Sequence, residues 1–135
     1  MKEYEAFNYT LNLKLRTDKA FFGPGVVELL QRIAATGSLN TAAKQMNMSY
    51  NKAWRIIKRA EEELGYALIN KSVGGSNGGG STVTAASQAL TDKFLQFQTI
   101  IYQQTNQQFK EIFCEETITI KNKEKKHEGN FSTAE

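Results

Sequence analysis

The chain has a single cysteine, Cys114, a single histidine, His127, and a single proline, Pro24. One cysteine cannot close an intrachain disulfide, so a disulfide-built scaffold is excluded and a reducing compartment is the expectation. One histidine and one cysteine leave no Cys/His cluster for a structural zinc, and no Ser-His-acid or Cys-His set for nucleophilic catalysis. Glu61, Glu62 and Glu63 are adjacent, so on a helix they fan out around it. They read as a solvated helix end rather than as facing carboxylates. No enzyme, no metal site and no cofactor is expected. No apolar run approaches the roughly 20 residues of a membrane span, and acidic Glu3 and Glu5 stand where a secretory leader would be cationic. A cytoplasmic protein without a membrane partner is the default.

Acid is also missing from the middle of the chain. Between Arg32 and Arg59 there is no aspartate or glutamate, while Lys44, Lys52, Arg55 and Lys58 all fall in this window. The formal net charge of +3 is modest, so the location of the surplus says more than its size. The window reads as two helices and a tight turn. Ser38 is the N-cap of the first, and Ala42, Ala43 and Met46 are its apolar face. Asn47 marks the corner because asparagine tolerates the left-handed conformation. Met48 tucks inward, and Ser49 caps the second helix. The small Ala43 permits a steep crossing.

In the second helix Ala53, Ile56, Ile57, Ala60 and Leu64 recur at i, i+3, i+4 and mark a buried side. Asn51, Arg55, Lys58 and Glu62 point away from it, with Lys52 and Arg59 at the flanks. Trp54 reads as a flank of the core. An exposed helix with a cationic leading half suits a DNA major groove. The alternative is a solvated, Lys/Arg-rich helix in an ordinary bundle.

Ahead of this pair, Asn8–Arg16 alternates. Tyr9, Leu11, Leu13 and Leu15 fall on one side and Thr10, Asn12, Lys14 and Arg16 on the other, the period of a half-buried strand. Thr17-Asp18-Lys19 is a turn and Ala20-Phe21-Phe22 a return strand, so residues 1–22 read as an N-terminal β-hairpin extension with a loose start. Pro24 opens the next helix, Val26, Leu29, Leu30 and Ile33 form its stripe, and Gly37 ends it. Gly23 and Gly25 match no phosphate-binding fingerprint.

Beyond Gly65, Tyr66–Val73 is strand-like, GGSNGGGS follows, and Thr82-Val83-Thr84 is a second short strand. The glycine run is either an interdomain linker or a hairpin tip. Strand-like flanks favour the tip, and a hairpin directly after an exposed helix is a wing. A glycine tip lets backbone N–H groups approach a phosphate chain, with Lys71, Ser72, Ser76, Ser81 and Thr82 adding contacts. Residues 23–84 then form a winged helix-turn-helix, in a fold that is mainly α with a little β.

Thr84 caps a helix over 85–113, roughly 40 Å long. Leu90, Phe94, Phe97, Ile101, Phe109 and Ile112 follow the 3-4 alternation of a packing seam, widened by Ile100, Tyr102 and Phe113. So small a domain cannot bury that whole face, and a second copy of the chain is its natural cover; the alternative is that its first half packs on the winged helix and its second half is solvated. Residues 114–135, ending KNKEKKHEGNFSTAE, are expected to be a disordered tail.

The stretch FFGPGVVELLQRIAATGSLNTAAKQMNMSYNKAWRIIKRAEEELGYALINKSVGGSNGGGSTVTAASQAL resembles the N-terminal DNA-binding domain of the ModE family, the molybdate-dependent transcriptional regulators. That domain is a LysR-like winged helix-turn-helix. The pieces that carry the likeness are GPG, TGSL, AAK, MSYNKAWRII, the GGSNGGGS wing and VTAAS, in that order. Thr84-Ala85-Ala86-Ser87 stands where the family usually has a Thr-Pro-x-Gly-type start to its dimer helix.

The resemblance implies a homodimer on pseudo-palindromic double-stranded DNA. It puts Ser49, Tyr50, Asn51, Lys52 and Arg55 nearest the bases. Lys44, Lys58, Arg59, Lys71, Ser72 and Thr82 are the expected phosphate contacts, and Leu90, Phe94, Phe97, Ile101 and Phe109 the expected dimer interface. Full-length members continue into molybdate-binding domains, for which this chain has no room, so it resembles the single-domain form with an unknown effector. The rival expectations are a winged helix that docks a protein, and a sensor that binds molybdate or tungstate at the dimer interface or wing.

Overall fold

A computed structural model describes residues 7–71, 80–113 and 130–131. The chain divides into two compact units: residues 13–94, and residues 1–12 with 95–133.

In the first unit, strand β2 (Leu15–Arg16) pairs antiparallel with β3 (Ala20–Phe22), with Leu15 opposite Phe22 and a bulge at Leu15/Arg16. Helix α1 (Pro24–Thr36) starts on Pro24 and ends at Gly37, whose φ of 75° lets its N–H return to the Ile33 carbonyl. Helix α2 (Leu39–Gln45) is capped by Ser38, which accepts from the Thr41 N–H at 2.9 Å. Asn47, at φ 59°, turns the corner. Helix α3 (Tyr50–Leu64) is capped by Ser49, which accepts from the Lys52 N–H at 3.0 Å, and it ends at Gly65 with φ 84°. The cap residues and the left-handed corner residues therefore stand where the backbone requires them.

The core gathers one apolar stripe from each helix. Leu29, Leu30 and Ile33 meet Leu39, Ala42 and Ala43, and Ala53, Ile57 and Ala60 close the third side. On α1 the stripe runs through Val27 rather than Val26, which is only half-buried. Phe22 packs edge-on against Phe94, centroids 5.6 Å apart, at the start of helix α4 (Ala85–Phe113).

Strand β4 (Ile69–Lys71) pairs antiparallel with β5 (Ser81–Val83), with Ile69 opposite Val83 and Lys71 opposite Ser81. The glycine-rich run thus joins two paired strands of one unit and is no interdomain linker. Its residues 72–79, Ser72 and Ser76 among them, lie outside the described residues. The Ser81 N–H ties this ribbon to the end of α1 by donating to the Gly37 carbonyl at 2.8 Å, and the Thr84 N–H extends the ladder by donating to the Leu68 carbonyl at 3.0 Å. The Thr84 hydroxyl donates to the Ala67 carbonyl and also accepts from the Ser87 N–H, capping α4 as expected.

The expected strand over Asn8–Arg16 is corrected. Alternation sets which residues share a face but names no partner, and here the stretch finds separate partners. Leu15–Arg16 pairs with β3, whereas β1 (Thr10–Leu11) belongs to the second unit and pairs in parallel with β6 (Asn130–Phe131). Asn130–Phe131 therefore departs from the expectation of an unstructured tail. The rest of 114–135 lies outside the described residues.

Within the second unit, Phe7 meets Phe109 and Phe113 edge-on at 6.4 and 6.1 Å, and Tyr9 lies 4.9 Å from Phe109. The Tyr9 hydroxyl donates to Asn106 Oδ1, and the buried Tyr102 hydroxyl donates to the Leu11 carbonyl at 2.9 Å. Phe7 is thus held rather than loose. No described helix is long and apolar enough to cross a membrane.

Phe94 is 2% exposed against a fully buried partner. Phe94→Ala should cost about 3–5 kcal/mol through lost transfer energy and the cavity left behind. A fall in the urea midpoint with unchanged slope is the expected readout.

Candidate nucleic-acid interface

Helix α3 divides sharply by face. Ala53, Ile57 and Ala60 are buried to zero exposure, Ile56 and Leu64 are half-buried, and Tyr50, Asn51, Lys52, Trp54, Arg55 and Glu62 are exposed. Alanine at two of the three deepest positions brings the helix backbone close to the core. The first turns then stand clear of it, with a free amide, a guanidinium and an ammonium on the outer surface.

Trp54 is 40% exposed and so is not the flank of the core that its neighbours suggested. It shares a helical row with Tyr50, Lys58 and Glu61, and this row faces the wing. The Lys58 ammonium lies 5.5 Å from the Trp54 ring centroid and 3.0 Å from Glu61 Oε1. Glu61 Oε2 accepts from the N–H groups of Leu68 at 2.7 Å and Ile69 at 3.3 Å, at the start of the wing. At the other end of the row, Lys71 of β4 donates to the Tyr50 hydroxyl at 3.1 Å and lies 5.8 Å from its ring. Both ends of the row therefore touch the wing.

The expectation that Glu61–Glu63 is a solvated block needs correcting. The Glu61 side chain is only 12% exposed. Burial pushes its pKa up, but the Leu68 N–H, the Lys58 ammonium and the Ile69 N–H together hold it below the ordinary glutamate range. Hydrogen bonds to the charged form outweigh desolvation here. Glu63 is engaged as well, accepting from the Thr17 hydroxyl of the β2–β3 turn at 2.6 Å. Only Glu62 stands exposed without such a role in the fold.

The remaining expected contacts divide. Lys44, Lys52, Arg55, Lys71 and Thr82 are exposed. Arg59 is half-buried, with Nη2 3.5 Å from the Ala20 carbonyl. Lys58 is clasped between a carboxylate and an indole ring, which removes it from the set of free cations. Ser81 is 4% exposed, so burial in the ribbon rather than phosphate contact is its place. Phe94 belongs to the core of its own chain and offers no surface to a second copy. Leu90 and Ile101 are half-buried, Phe97 is 46% exposed, and Phe109 is partly covered by Phe7 and Tyr9.

The roles of Glu61 and of the Tyr50–Lys71 pair escaped the sequence reading. The spacing of Tyr50, Trp54, Lys58 and Glu61 could have shown a shared helical row. Nothing in it shows that backbone N–H groups beyond a glycine corner return to meet that row.

These elements define a winged helix-turn-helix with its second helix exposed. Residues 26–88 match the bacterial regulatory helix-turn-helix protein, lysR family, and that stretch is a LysR-type helix-turn-helix domain. Over 80 residues the chain is 36% identical to the DNA-binding transcriptional dual regulator ModE of Escherichia coli (strain K12), a match covering 59% of this chain and 30% of that one. It is 40% identical over 80 residues to the molybdenum transport protein ModE of Herbaspirillum seropedicae, covering 59% and 28%. The chain thus spans about 30% of the length of the curated relatives it matches. A solved chain in the crystal structure of the CbnR_DBD-DNA complex aligns with a TM-score of 0.49 at 18% identity, covering 64% of this chain and 94% of that one.

The lowered pKa of Glu61 sets the sign of a pH effect. A carboxylate whose folded pKa is depressed contributes stability that is complete above its unfolded pKa and is lost as pH falls through the folded value. Unfolding free energy should therefore carry a falling limb below the ordinary glutamate range. Glu61→Gln should flatten part of that limb in urea titrations taken across acidic pH.

Proposed function

We propose that this chain is a sequence-specific, DNA-binding transcriptional regulator that acts as a homodimer in the cytoplasm, and that it binds rather than catalyses. The observation that carries the proposal is the exposed, acid-free leading half of α3, with Asn51, Lys52 and Arg55 on its outer face. That face has the dimensions and donors of a major-groove reader. Asn51 suits the N6/N7 edge of adenine, and Arg55 or Lys52 the O6/N7 edge of guanine. Ser49 and Tyr50 open the same helix end, where the positive end of the backbone dipole also favours a phosphate.

Lys44, Arg59, Lys71, Ser72 and Thr82 are assigned to the phosphate chain, where contacts set register rather than sequence. The match of residues 26–88 to a bacterial regulatory helix-turn-helix supports the reading, as does the homology to ModE. For dimerisation the support is the apolar surface that α4 leaves open, with Phe97 and Ile100 at 46% and 44% exposure. A second copy covering Phe97, Ile100 and Ile101 would give the assembly two reading helices, one for each half-site of a pseudo-palindrome.

Arg55→Ala should cost roughly 1–3 kcal/mol on a duplex selected from a random pool and little on random duplex, relaxing sequence choice. Fluorescence anisotropy on both duplexes checks this, and equal weakening would reject the base-reading role. Lys71→Ala should weaken both duplexes alike and reduce the slope of log affinity against log salt by about 0.9. Sedimentation equilibrium should find a dimer for the wild-type chain and a weakened one for Phe97→Glu.

A further inference from the structure

The wing strand β4 is clasped at both of its ends by one helical row of α3. Glu61 takes the N–H groups of Leu68 and Ile69, and Tyr50 takes the Lys71 ammonium. Tyr50 and Glu61 are 11 residues apart in α3, about 16 Å along its axis. The Ser81 bond to the Gly37 carbonyl ties the ribbon to the end of α1, and contacts this far apart on α3 add a hold on its angle to that helix. A carboxylate suits the inner contact. It offers acceptors to two amides and an ammonium at once, where glutamine keeps a single oxygen and alanine none. Lys58 completes the inner contact and is itself held in place by the Trp54 ring.

We propose that Glu61 is a positioning residue of the DNA-binding surface, fixing the wing to the recognition helix so that Lys71 and Thr82 reach the phosphate chain in register with the bases read by Asn51 and Arg55. Lys58 supports Glu61 in this and is not itself a phosphate contact. The inference rests on the DNA reading above and extends it from the residues that touch the duplex to the one that aims them.

The test is amide hydrogen exchange on the free protein, joined to a double-mutant cycle on the duplex. Glu61→Ala should speed exchange at Leu68 and Ile69 about tenfold or more while leaving the Lys52 amide, held by Ser49, unchanged. Glu61→Gln, which keeps one acceptor and the side-chain volume, should fall between and guards against a chain that fails to fold. On selected and random duplex alike, Glu61→Ala should weaken binding by about tenfold, equivalent to 1.4 kcal/mol. Lys71→Ala should then cost much less in the Glu61→Ala background than in the wild type, because residues that act through one another are not additive. Unchanged exchange at Leu68 and Ile69 overturns the inference. Faster exchange with fully additive duplex energies also overturns it, leaving Glu61 a fold residue only. Failure of the wild-type chain to bind any duplex overturns the DNA reading instead, and the clasp is then judged by exchange alone.

Discussion

Ala53, Ile57 and Ala60 make the whole of α3's deepest contact with the core, and what the helix can do on its other side follows from how narrow that stripe is. A helix held through alanines lies close to its neighbours and needs few large side chains to stay there. Its remaining circumference is then available for polar groups. A wider apolar stripe would have stabilised the domain further and drawn Asn51 and Arg55 toward the interior. The crossing with α2 obeys the same economy, since Ala42 and Ala43 are fully buried on the facing helix.

The exposed circumference is itself divided. Asn51, Lys52 and Arg55 face solvent, while Tyr50, Trp54, Lys58 and Glu61 form a row turned toward the wing. The two rows serve different ends. In the solvent row, cationic and amide groups stand without an acid near them in the sequence. In the wing row, charges are neutralised locally: the Lys58 ammonium meets a carboxylate, and that carboxylate also meets backbone N–H groups. Lysine is thus free on one row, as Lys52, and satisfied on the other, as Lys58. Counting charges along the chain cannot separate them.

Much of the fold was legible because it is written in local rules. Ser38, Ser49 and Thr84 are caps by residue type, and Gly37, Asn47 and Gly65 are corners by the conformations they permit. The limits of α3 and of α4 follow from these signals together with the 3.6-residue period. What was not legible depends on partners distant in the chain. Asn8–Arg16 alternates as one strand would, yet Thr10–Leu11 pairs with Asn130–Phe131 and Leu15–Arg16 with Ala20–Phe22. Phe94 lies on the same helical stripe as Phe97, yet Phe22 covers the one and leaves the other open. That Asn51 and Arg55 face solvent could be assigned from the helical period alone. The exposure of Trp54 and the engagement of Glu61 could not, because both are decided by the ribbon that folds back beside them.

The acid block at the end of α3 then has a directional consequence. The helix N-terminus carries the positive end of the backbone dipole, and Lys52 and Arg55 add to it within the first two turns. Glu61, Glu62 and Glu63 sit at the opposite end. Glu61 and Glu63 are occupied there by the wing and by Thr17 of the β2–β3 turn, so their charge is spent on the fold. A polyanion approaching this helix meets attraction at one end and no comparable cation at the other. On the DNA reading proposed above, that gradient favours an orientation with the N-terminal turns toward the duplex. In that reading Lys71, tied to Tyr50 in the first turn, stands at the same end of the helix and is the wing cation best placed for a phosphate.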